Sequence, residues 1–170
     1  CGGATSASGP FYCPSDQKVY LHTQFSDEMK RSLGGGGDFA QAYVIAHEVG
    51  HHIQTVTGVS EQVNQVRAKG GNVEGDGGLL VRQELQADCY AGLWAHYAQQ
   101  EKQWMEPGDM ESAIRTAQAI GDDTLQRKSR GTVVPDAFSH GTAEQRMVWF
   151  NRGFETGQIG ACDTFKAAAL

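Results

Sequence analysis

His47, Glu48 and His51 lie within five residues of one another, and their types and spacing point to hydrolytic chemistry. Each residue of an α-helix turns the chain by roughly 100°, so imidazoles four apart stand about 40° apart and can grip one ion. Glu48 falls about 60° from His51 on the same scale, so its carboxylate can reach a water held by that ion without being a ligand. A divalent ion with a carboxylate base beside its water is a device for hydrolysis. Two histidines leave such a site one ligand short, because catalytic zinc usually takes three protein groups and keeps the fourth place for water.

Written as a motif, His47 to His51 is HExxH, the spacing of zinc hydrolases. Continuing it in the metzincin pattern would require glycine at position 54 and histidine at position 57. The chain has Gln54 and Thr57, which excludes that family. A carboxylate from a second helix remains. Glu84 and Asp88 stand four apart, and so share a face, on a stretch from Leu79 to about Gln100 long enough to pack beside the first helix.

The helix that carries the histidines is bounded by its own residues. Asp38 can accept from the free N–H groups of the first turn, with Gln41 at the capping-box partner position. Gly34 to Gly37 bar helix before it, and Gly58 can end it with a positive φ. Ile45, Val49, Ile53 and Val56 form a stripe roughly opposite the histidines. That pattern predicts a central helix, covered on its metal-binding side and on its back.

The remaining elements follow in order. Residues 1–17 are small, polar and rich in Gly and Pro, and read as a loop pinned by Cys1 and Cys13. Lys18 to Leu21 offers a short strand, and Ser26 caps a short helix from Asp27 to Leu33. Ser60 to Lys69 is helix-compatible. Gly70 to Gly78 is a flexible loop whose acids, Glu74 and Asp76, match no calcium-binding pattern. On the Leu79 helix the burial candidates include Leu80, Ala87, Ala91 and Trp94. Asp109 caps a helix from Met110 to Ile120, and Asp122 to Pro135 reads mainly as loop. Thr142 and Gln145 repeat the capping-box spacing and open a helix from Ala143 to about Arg152, with Met147, Val148 and Phe150 as apolar candidates.

With 170 residues the chain fits one domain, 1–170, with a sizeable core. A net charge of −6 and no Lys/Arg block exclude a footprint for nucleic acid or an anionic membrane surface. No apolar run approaches a membrane span, and the first residues are not a signal peptide. Cys1, Cys13, Cys89 and Cys162 are even in number with none in CxxC spacing. Two disulfides would suit an exported protein, four reduced core thiols being the alternative. Of the three possible pairings we expect Cys1 with Cys13 and Cys89 with Cys162.

HExxH followed by ExxxD resembles the thermolysin-like zincins. That resemblance implies Glu84 as third metal ligand and Asp88 as the carboxylate that orients His47. CGGA, GPFYCP, AHEVGHHIQ, ELQADCYAGLWA and HGTAEQR also resemble the bacterial family described as putative neutral zinc metallopeptidase, from Cys1 to about Phe165. The family implies an envelope protein held by an N-terminal membrane anchor, which favours disulfides. The expected fold is mostly α, a zincin-like domain of five or six helices with a small sheet near the N-terminus. The expected function is peptide-bond hydrolysis, with one Zn2+ on His47, His51 and Glu84 and Glu48 as general base. His140 is the candidate oxyanion donor, with Tyr90 and Arg146 as rivals. Two other functions compete: a zinc-containing binding or assembly module without turnover, and a hydrolase of cell-wall peptide amides.

Overall fold

The computed structural model describes residues 1–3, 10–21, 38–103 and 138–170, with isolated positions at 27 and between 105 and 132. These residues are mostly helical, with one small antiparallel sheet. Strands β1 (Phe11–Cys13) and β2 (Lys18–Tyr20) pair in a hairpin, Tyr12 opposite Val19. Helices α1 (Asp38–Val56), α2 (Val59–Ala68), α3 (Leu79–Lys102) and α4 (Ala143–Thr156) follow, then a 3-10 turn at Ile159–Cys162. The expected helices from Asp27 and from Met110, and the loop from Asp122, lie outside the described residues except for single positions. Of those, 27, 109, 112, 113, 115 and 116 are helical.

Local signals placed most boundaries. Gly58 has φ +83° and separates α1 from α2. Thr142 and Gln145 form the reciprocal capping box, 3.0 Å and 2.8 Å, at the start of α4. That helix runs one turn beyond Arg152, to a left-handed Gly157. Residues 11–13 are a strand rather than loop. The disulfide Cys1–Cys13 ties down the β1 end, and the Phe11 ring stacks on Tyr20 across the hairpin.

Helices α3 and α4 pack almost backbone to backbone. A Cβ on Gly92 would stand 1.9 Å from the Phe150 carbonyl oxygen, and one on Gly153 would stand 2.0 Å from that of Cys89. Only glycine permits that approach. On one side of the pair lies a cluster of Phe39, Tyr43, Ala91, Ala95 and Phe150, which also buries Ala113. On the other side Val81, Leu85, Phe138 and Trp149 surround the disulfide Cys89–Cys162. Both bridges are those expected, and they suit an oxidising compartment. Arg82 extends the second cluster, donating to the carbonyls of Thr164 and Ala167 in the C-terminal segment.

Three burial expectations are corrected. The back stripe of α1 is not covered: Ile45 is 37%, Val49 43% and Val56 60% exposed. The buried face of α1 is instead Phe39, Ala40, Tyr43, His47, Gly50 and Gln54. The stripe and α3 line an apolar groove of about 860 Å3, with Val49, Ile53, Tyr90 and Trp94 among its walls. Trp94 is accordingly exposed rather than core, and on α4 Trp149 is buried where Val148 was expected. Among the described residues, no helix is long and apolar enough to cross a membrane.

Candidate metal centre

Helices α1 and α3 bring the expected residues to one point. His47 Nε2 lies 3.1 Å from His51 Nε2 and 3.1 Å from Glu84 Oε2, and His51 Nε2 lies 3.4 Å from Glu84 Oε1. Four-coordinate zinc with bonds of about 2.0–2.1 Å would hold its ligand atoms about 3.3–3.4 Å apart, close to these spacings. Among the described residues this is the cluster of three metal-ligating side chains.

The outer ring nitrogens show why the inner ones suit a cation. His47 Nδ1 faces Asp88 Oδ1 at 2.8 Å, and His51 Nδ1 faces Gln54 Oε1 at 2.9 Å. Both partners are acceptors, so each Nδ1 carries the hydrogen. Each Nε2 then points a lone pair at its neighbour and at a carboxylate. Neutral imidazoles so placed repel one another unless a cation sits among them, and two nitrogens with one carboxylate oxygen are a donor set that catalytic zinc uses. The residues fit the ion.

Without a metal, protons take that place. Burial opposes the charge on His47, but Asp88 and Glu84 outweigh it and push His47 up to about 10. Burial likewise opposes charge on His51, which Glu84 raises. Glu84 is held well below the usual carboxylate range: burial would raise it, and the charge of His51 with hydrogen bonds from both imidazoles overcomes this. Its side chain stays 19% exposed, so the cluster is open on one side.

Asp88, fully buried, is itself held by three donors. Tyr43 Oη at 2.5 Å, His47 Nδ1 at 2.8 Å and Arg146 Nη2 at 3.1 Å all point at its Oδ1. Burial would raise the Asp88 carboxyl, but the charges of Arg146 and His47 lower it, so it stays ionised. Arg146, a rival for oxyanion donor, is 2% exposed and engaged here. Tyr90 lines the groove along the back of α1. His140 is exposed, in the bend before α4, with Ser139 Oγ 2.9 Å from its Nδ1.

Glu48 is fixed by the hairpin. Its Oε2 accepts the Tyr12 backbone N–H at 2.8 Å, and Tyr12 Oη lies 3.0 Å from His52 Nδ1. A strand N–H spent on a side chain is one turned away from its partner strand, so Tyr12 uses the outer edge of β1. Tyr12, Tyr43 and Gln54 were not found from the sequence. In the sequence Gln54 only breaks the metzincin pattern, and capping and periodicity do not reveal pairing between elements distant in the chain.

The family model described as "Putative neutral zinc metallopeptidase" matches residues 1–165. The chain belongs to this family. Among curated relatives it is similar to "Uncharacterized protein YpfJ" of Escherichia coli K12, 53% identical over 165 residues, covering 97% of this chain and 57% of the relative. It is also similar to "Uncharacterized protein Rv2575" of Mycobacterium tuberculosis H37Rv, 44% identical over 180 residues, covering all of this chain and 59% of that relative. The chain therefore spans somewhat over half the length of these relatives. No solved structure matches it.

Proposed function

We propose that the chain is a zinc-dependent peptidase and that residues 1–170 form its catalytic domain. The observation that carries this reading is the convergence of His47, His51 and Glu84 beside a carboxylate, Glu48, that is held but not used up. His47, His51 and Glu84 would hold the ion. When bound, zinc supplies Lewis acidity that acidifies water and polarises the scissile carbonyl.

The protein's own groups do the rest. With Oε2 of Glu48 taken by Tyr12 N–H, Oε1 accepts the proton of the attacking water and passes it to the leaving amine. Asp88 keeps the proton of His47 on Nδ1, so Nε2 is the ligand atom. His140 is proposed as the oxyanion donor, since Arg146 is committed to Asp88 and Tyr90 lines the groove behind α1. The substrate is a peptide or protein, cell-wall peptide amides being the narrower class that the test below separates. The site would work outside the cytoplasm, in keeping with two disulfides, and the full-length protein would be held at the membrane by an anchor outside this chain.

Glu48→Gln tests the reaction. The variant should retain stoichiometric zinc and lose hydrolysis of a general protein substrate by about 10²-fold or more. Zinc-loaded wild type inert on casein, on peptides and on peptidoglycan fragments would refute the peptidase and favour an assembly module. Cleavage of peptidoglycan fragments alone would narrow the substrate to cell-wall amides.

A further inference from the structure

Gln54 is fully buried, and a buried amide must find partners for two donors and an acceptor. Its Nε2 donates to the Gln83 carbonyl at 2.7 Å and to Gln86 Oε1 at 3.0 Å. These two acceptors, both on α3, settle which way the amide faces, since turning it over would set Oε1 against two lone-pair oxygens. Oε1 is thereby aimed at His51 Nδ1, 2.9 Å away. Gln86 is oriented in turn, donating to the carbonyl of Cys162 at 3.1 Å, a residue bridged to Cys89 on α3. The relay runs from the C-terminal segment through two amides to a ring nitrogen of the cluster.

We propose that Gln54 is the positioning residue of His51. It fixes the Nδ1–H tautomer and the ring orientation, as Asp88 does for His47, and Gln86 holds it in place. The HExxH spacing does not require it, since a helix alone leaves the His51 ring free to turn about its χ angles. A neutral acceptor on one imidazole and a carboxylate on the other also limits the negative charge around the ion. The inference rests on the zinc reading of the same site.

The test compares zinc affinity, by competition with a chromophoric chelator, in wild type, Gln54→Met, Gln54→Glu and Gln86→Met, with the unfolding stability of each metal-free protein measured alongside. Gln54→Met should weaken zinc binding by about ten- to a hundredfold. Gln54→Glu keeps an oxygen for Nδ1–H and should bind zinc more tightly than Gln54→Met, although it loses both donations to α3 and is less stable without metal. A residue that only filled space would give the opposite order, the buried carboxylate being the worse replacement. If Gln54→Met does not fold, Gln86→Met decides, with a loss of affinity of about threefold or more expected. Affinity in Gln54→Met, or failing that in Gln86→Met, within about twofold of wild type overturns the proposal, as does Gln54→Glu binding more weakly than Gln54→Met. Wild-type protein that takes up no zinc defeats the zinc reading itself, a different result from unchanged variants of a zinc-binding protein.

Discussion

Gly50 and Ala87 touch where α1 crosses α3: a Cβ on Gly50 would stand 3.0 Å from the Ala87 Cα and 3.1 Å from its Cβ. The contact lies one residue before His51 and one before Asp88, so it sets the distance between the two halves of the metal cluster.

Gly50→Ala therefore acts on affinity more than on folding. Alanine gains up to about 1 kcal/mol of helix propensity over glycine, which offsets part of the overpacking. The neighbour is backbone and cannot rotate aside, so the helices must part by a few tenths of an ångström, carrying Glu84 from the imidazoles. Zinc affinity should fall about tenfold or more, in line with losses of metal-site support, while urea unfolding of the metal-free protein moves by about 1 kcal/mol or less. Unaltered affinity would mean that Glu84 follows the shift.

What was legible in the sequence is what helical geometry makes local. The step from His47 to His51, that from Glu84 to Asp88 and the Thr142–Gln145 box each need only one helix, and all three are in place. The face of α1 was misread for a physical reason. Its buried side carries glycine, histidine and glutamine because α3 comes close and its polar groups pair across the gap, while its aliphatic stripe lines an open groove. Hydropathy alone inverts such a helix. On α4 the error was one residue, Val148 for Trp149, and it followed from not knowing that Gly153 sets the contact line with α3.

Asp88 and Arg146 are buried opposite charges, 3.1 Å apart. Asp88→Asn leaves the Arg146 cation without its counter-charge and should cost about 3–5 kcal/mol of stability. Adding Arg146→Met removes the stranded charge and should recover most of that loss in a urea titration. Zinc affinity should stay low in the double variant, because an amide oxygen is a weaker acceptor for His47 Nδ1–H than a carboxylate. Equal stability of single and double variants would show that water or another group neutralises Arg146.

At the proposed zinc site metal and protons would compete for the imidazoles, so metal-free stability and zinc affinity should answer pH in opposite directions. His47 is raised from 6.5 to about 10 by Asp88 and Glu84 against the effect of burial. A raised folded value means that the stability it contributes is fully present below 6.5 and is lost as pH climbs through about 10. The metal-free protein should thus weaken from pH 7 to pH 10. Zinc binding must displace the proton of His47, so its affinity should rise over the same window by about one decade per pH unit. Unfolding and chelator competition in one buffer series measure both, and an affinity flat from pH 7 to 9 would contradict the protonated cluster.

The two disulfides close chains of very different length, and their removal should separate stability from metal binding. Cys89–Cys162 closes a separation of 73 residues and Cys1–Cys13 one of 12. On the loop-entropy relation the first restrains the unfolded chain by about 4 kcal/mol and the second by about 3 kcal/mol. The long bridge also anchors Cys162, whose carbonyl accepts from Gln86, whereas the short one fixes the end of the strand whose Tyr12 N–H holds Glu48. Cys89→Ala with Cys162→Ala should lower the midpoint of urea unfolding and weaken zinc binding together. Cys1→Ala with Cys13→Ala should leave zinc affinity near wild type and reduce turnover instead, since among the described residues the hairpin hydrogen-bonds Glu48, the proposed base, and none of His47, His51 and Glu84. Loss of zinc from the second pair of variants would show that the hairpin supports the ligand cluster as a whole and not Glu48 alone.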